Sequence, residues 1–167
     1  MKKSGFILGA VLSMVLLISA TKSSTVYIDL SPKGIPITVD APSGSKIRAG
    51  LLDGMEMENV TTLSWEINKG DFSLDVSMED APMKRSHKEY VKYARNVVEM
   101  DKSFVEYVEW DENGFLVKLS FNGAIEYDFY HLVSKDDRAI EFSVGLAAED
   151  YGINNIRDIY HAAKTAK

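Results

Sequence analysis

The 167-residue sequence contains no cysteine, four prolines and three histidines. Without cysteine there is no disulfide framework and no acylated cysteine to anchor a lipoprotein, so stability has to come from a packed core. Basic residues are also scarce, with 19 Lys and Arg against 25 Asp and Glu. An acidic chain is repelled by a phosphate backbone, which argues against a nucleic-acid partner. The chain further lacks a Gly-x-Ser-x-Gly elbow, a His-Glu-x-x-His pair, a phosphate loop and a dinucleotide fingerprint. The common hydrolase and nucleotide-binding routes therefore have no anchor residues, and no cofactor is expected. No internal repeat or low-complexity tract interrupts it.

Long apolar runs are missing too, apart from residues 6–18, which lie between Lys2-Lys3 and Ser19-Ala20. That order of charge, apolar core and small residues predicts a secretory signal peptide over 1–20, cleaved near Ala20. The run is shorter than the roughly 20 residues that a bilayer-crossing helix needs, so no permanent transmembrane anchor is expected. The reading is of an exported protein, periplasmic or extracellular. Removing Lys2 and Lys3 leaves 17 basic residues against 25 acidic ones, a formal charge of −8. A polar leader at 21–25 then precedes one domain over 26–167, long enough to bury a core.

Alternation predicts strands at 26–30 and 35–39 around Ser31-Pro32-Lys33-Gly34, with Pro36 favouring an edge. A hairpin is expected to pair 60–67 with 72–78 across a four-residue loop at 68–71. The period then lengthens, and Ser86 with Glu89 three residues on forms a capping box that starts a helix at 87–100. Val91, Ala94 and Val98 form its apolar stripe, widened by Tyr90 and Val97.

Three further hairpins follow. An Asn113-Gly114 turn pairs Trp110 with Val117 and Glu109 with Lys118. A two-residue Asn122-Gly123 turn would face Leu119 with Glu126 and Val117 with Asp128, so a three-residue loop ending at Ala124 is expected instead. It places Val117 opposite Phe129 and Lys118 opposite Asp128. A four-residue loop at 134–137 would then face Phe129 with Phe142 and His131 with Ile140, so that four strands share one apolar face. Ile153, Ile156, Tyr160 and Ala163 recur at helical spacing, with Asn154 or Asn155 as cap. The expected fold is α+β: a single antiparallel sheet, a meander of hairpins, with a mid-chain and a C-terminal helix packed on it.

Ile37-Thr38-Val39-Asp40-Ala41-Pro42, the strand at 72–78 and the stretch 139–146 leading to the helix at 153–163 resemble the PsbP/Mog1-like fold. That fold is a twisted antiparallel sheet with a helix in mid-chain and another at the C-terminus. It hosts adaptors and subunit-stabilising proteins more often than enzymes, so the resemblance implies a binding role. No functional residue of those relatives maps onto this chain.

Ser43-Gly44-Ser45-Lys46 fits Ser-x-x-Lys, but it stands in a Pro-Gly turn without companion motifs and reads as a turn. Asp111-Glu112-Asn113-Gly114 and Asp136-Asp137 carry oxygen ligands, yet both are explained as hairpin turns, and no metal site is assigned. Glu126, Asp128 and Glu141 read as a solvated outer face with Lys118 as partner.

One cluster stands out: Lys84, Arg85, Lys88, Lys92 and Arg95 gather on the helix side opposite the apolar stripe. Like charges at i, i+4 and cations near a helix N-terminus both cost stability, so local energetics do not explain them. They point to a non-enzymatic binding or accessory domain that engages an anionic partner: an envelope protein, an acidic glycan or an anionic lipid surface. A second reading, of a different class, is a small secreted hydrolase or ligand-binding enzyme with a pocket between sheet and helices around Glu106, Tyr127 and His131.

Overall fold

A computed structural model describes residues 24–167. The expected signal peptide and the start of the polar leader lie outside the described residues. Strands β1 (Thr25–Asp29) and β2 (Thr38–Pro42) pair with each other alone. The turn between them is a short 3-10 helix, Ser31–Lys33, closed by Gly34 at φ 90°. Strand β2 starts three residues later than the alternation suggested. Ile35 and Ile37 instead enter the core as an irregular extended segment, with the Leu30 amide donating to the Ile37 carbonyl.

The remaining strands are β3 (Lys46–Ala49), β4 (Glu56–Met57), β5 (Val60–Lys69), β6 (Phe72–Glu79), β7 (Phe104–Trp110), β8 (Gly114–Phe121), β9 (Ala124–Lys135) and β10 (Arg138–Val144). They form one eight-stranded antiparallel sheet in the order β3-β5-β6-β10-β9-β8-β7, with β4 also on β5. The single-sheet α+β expectation is thus corrected: the described residues are mostly β, with two sheets and two helices. The sequence pattern misses the separation because β1 and β2 look like any other hairpin. What sets them apart is Leu30, Ile35, Ile37, Val39 and Ala41, all buried against α2 (Ile153–Ala163) rather than in the main ladder.

Helix α1 (His87–Met100) matches its expected span, and its capping box is complete. Helix α2 covers the expected residues, but its N-cap is Gly152. Neither Asn154 nor Asn155 is the cap, and Asn155 donates to the carbonyls of Asp71 and Asp150.

The two helices cover opposite faces of the sheet. On one, Ile156, Ile159, Tyr160 and Ala163 of α2 pack with Leu116, Phe129, Ile140 and Phe142. On the other, Val91 of α1 packs with Leu132 and Ala139. Strand β8 is apolar on both faces as a result, since Phe115, Leu116 and Val117 are consecutive and all buried. The expectation of one shared apolar face with a wet reverse is therefore overturned.

The registers follow. Strands β8 and β9 adopt the tight Asn122-Gly123 turn, both residues at positive φ, and place Leu119 opposite Glu126 and Val117 opposite Asp128. The Asp136-Asp137 turn is equally tight, so His131 faces Phe142. Only Gly70-Asp71 links β5 to β6. At β7–β8 the turn is Glu112-Asn113, with the Asp111 carboxylate accepting from the Asn113 amide at 2.8 Å. That turn and a register shift between Tyr107 and Glu109 set Lys118 against Glu106, not Glu109.

Candidate functional site

Helix α1 starts where the Glu89 carboxylate accepts from the Ser86 amide at 2.9 Å while Ser86 Oγ accepts from the Glu89 amide. That start divides the five expected cations. Lys84 and Arg85 precede the cap: Lys84 pairs with Glu58 at 3.5 Å, and Arg85 lies 4.7 Å over the ring of Tyr93. Lys88, Lys92 and Arg95 remain together on one flank of the helix.

These three form one wall of a groove of about 930 Å³, whose other wall is Trp110, Asp111, Glu112 and Asn113 from the β7–β8 turn. The edge position of β7 puts that wall at the rim of the sheet. The Arg95 guanidinium sits 4.5 Å from the Trp110 ring and 4.9 Å from that of Tyr107, a cation held by aromatic faces rather than by an acid. Its Nε is buried without a hydrogen-bond partner. Trp110 stays 63 % exposed, so much of the indole is open to solvent.

The acids of this groove are mostly engaged. Glu99 accepts from the Tyr107 hydroxyl at 2.8 Å. Asp111 takes the Lys164 ammonium at 2.7 Å. Desolvation pushes the Asp111 pKa up, but Lys164 and the Asn113 amide outweigh it and hold the carboxyl below its usual range. Among the described residues Lys88, Lys92 and Arg95 have no ion pair.

Glu106, Tyr127 and His131 are not brought together. Glu106 is exposed on edge strand β7 and pairs with Lys118 at 3.2 Å. Tyr127 and His131 lie on the face of β9 toward α2. His131 is buried there with its ring 5.7 Å from Phe142 and 6.2 Å from Tyr160, and its Nδ1 has no partner. Burial pushes its pKa down to about 4, with the Asp111 charge acting the other way. None of the three lines the groove along α1.

Several roles were not legible in advance. Glu109 accepts from Arg157 at 2.7 Å and meets His161 at 3.2 Å, clipping α2 to the sheet edge. Asp128 and Glu141, read as an outer surface, instead line a second groove on the opposite flank of α1. The turn chemistry of Asn122-Gly123 was the available signal, since the tight register alone turns Asp128 toward that helix. Among the described residues no group of three or more His, Asp or Glu is placed to hold a metal ion, and no helix is long and apolar enough to cross a membrane. Compared with known proteins, the chain matches no family model, no curated protein and no solved structure.

Proposed function

We propose that the chain is an exported, non-enzymatic binding domain that holds an acidic glycan in the groove between α1 and the β7–β8 turn. One observation carries this reading: three cations without ion pairs among the described residues share a groove with a largely exposed indole in a protein that is acidic overall. Carboxylates or sulfates on the ligand would meet Lys88, Lys92 and Arg95, while the apolar C–H face of a sugar ring can lie on Trp110. Asn96 and Asn113 add donors and acceptors for hydroxyl groups. A concave site with Glu112 on its far wall suits a chain-like ligand better than a flat lipid surface. The PsbP/Mog1-like resemblance supports a binding role without naming its ligand.

The test is titration calorimetry of the chain with polygalacturonate, beside dextran and phosphatidylglycerol vesicles. Binding of polygalacturonate alone, weakened by salt and lost in Lys88→Glu/Lys92→Glu, supports the reading. Preference for the vesicles, or polygalacturonate binding that survives the charge reversal, overturns it.

A further inference from the structure

The apolar stripe of α1 does not close onto the sheet along its whole length. Val91 is sealed, but Ala94 and Val98 are half-buried and Val97 is 53 % exposed. Facing them are Phe115, Val117 and Leu119 of β8, the apolar face that β8 presents to α1. Between the two lies a groove of about 660 Å³, within the size range of small-molecule sites. Phe115 and Val117 are sealed at its floor, and the apolar surface left in contact with water is that of Val97, Val98, Leu119 and Phe121 toward the open end.

Its polar groups are mainly of one sign. Asp128 and Glu141 stand among the apolar walls, Glu79 and Asp101 complete the acidic set, and Arg85, drawn aside over Tyr93, is the one cation of the lining among the described residues. The Phe129 amide donates to Asp128 at 2.8 Å, and no cation pairs with Asp128 or Glu141 among the described residues. Asp128 is exposed along the groove, where its charge is accessible to a ligand. Glu141 is half-buried, and its pKa is raised, first by desolvation and then by the charge of Glu79. A cation in the groove meets uncompensated negative charge.

We infer that the groove between α1 and the β8–β9–β10 face binds a hydrophobic cation, an organic ammonium carrying an apolar body. The apolar part lies between Val97–Val98 and Leu119–Phe121, and the ammonium meets Asp128, with Glu141 adding negative charge farther along the groove. This site is separate from the glycan groove, which lies on the other flank of α1.

The experiment compares decyltrimethylammonium with decyl sulfate, both below their micelle concentrations, by calorimetry on the full chain. The cation should bind about tenfold or more tighter than the sulfate. Asp128→Asn/Glu141→Gln should erase that preference, whereas Lys88→Glu/Lys92→Glu should leave it intact. Should the double variant fail to fold, Val97→Lys, on the exposed rim, serves instead and should weaken cation binding several-fold. Equal binding of the two probes, or a preference untouched by the folded variants, overturns the inference.

Discussion

Val117 stands directly opposite Asp128 across the β8–β9 ladder. An apolar side chain buried to within 1 % of complete thus shares a sheet face with a carboxylate in a groove. The arrangement is stable because α1 dries only part of that face: Val117 lies under the helix-facing apolar patch, while Asp128 keeps access to water. Two glycines near the ends of β8 hold the ladder in this register by different means.

Gly114 is the first residue of β8, where an added Cβ would come 2.1 Å from the Tyr130 carbonyl oxygen. Gly123 sits in the turn at φ +89° with open space around it. Gly123→Ala should cost about 1 kcal/mol from backbone strain alone. Gly114→Ala forces β8 and β9 apart and should cost about 2–4 kcal/mol. Thermal melts check the order, and a smaller loss at Gly114 than at Gly123 would refute the steric argument.

His131 makes stability depend on acid. Its folded pKa of about 4 lies below the ordinary value of 6.5, so between those limits the unfolded chain binds the extra proton. Its contribution is complete above pH 6.5 and is lost as the pH falls toward 4, by up to about 3 kcal/mol. Asp75, pushed up to about 6 by burial, has the opposite slope between about 4 and 6. Urea midpoints of the chain and of His131→Leu, taken from pH 7 to 4, should converge with acid. Parallel curves would show that His131 does not titrate as a buried neutral ring.

Glu66 fastens the loop between β10 and α2. Its carboxylate accepts from Ser73 Oγ, from the Ala147 amide at 2.9 Å and from Arg48 at 2.9 Å, and these donors outweigh desolvation to lower its pKa. Glu66→Ala leaves the buried Ser73 hydroxyl and the Ala147 amide unpaired and should cost about 3–5 kcal/mol. Arg48→Ala removes only a half-exposed partner and should cost about 1–2 kcal/mol. Denaturant unfolding ranks the two, and the reverse order would be incompatible with this account.

Ser86→Ala removes the capping box and should cost about 1 kcal/mol, with faster amide exchange confined to α1. Exchange that speeds up across the sheet instead would mean that the helix and the ladder open together.

The start of α1 and the strand β6 were legible in the sequence because they rest on local chemistry. The Ser86-Glu89 pair marked α1 to the residue, and the alternation of Phe72, Leu74, Val76 and Met78 marked β6. Registers were not, because they depend on what covers each face. The choice at Asn122-Gly123 assumed one wet face, whereas α1 and α2 cover both, and only the turn residues themselves carried the correct register. The same assumption placed Asp128 and Glu141 on an outer surface. Of the candidate site, the cations Lys88, Lys92 and Arg95 could be read from helical spacing. Trp110 and Asn113 could not, since the displaced β7–β8 turn brings them opposite the helix.

Helix α1 has a single buried residue, Val91, yet it supplies a wall to both grooves. Any local opening that lifts the helix from the sheet dissolves both sites in one step. A ligand on either flank therefore favours the seated helix and, by linkage, strengthens the hold on a ligand at the other. Were both grooves to hold ligands as proposed, one lightly anchored element would make the two sites positively cooperative.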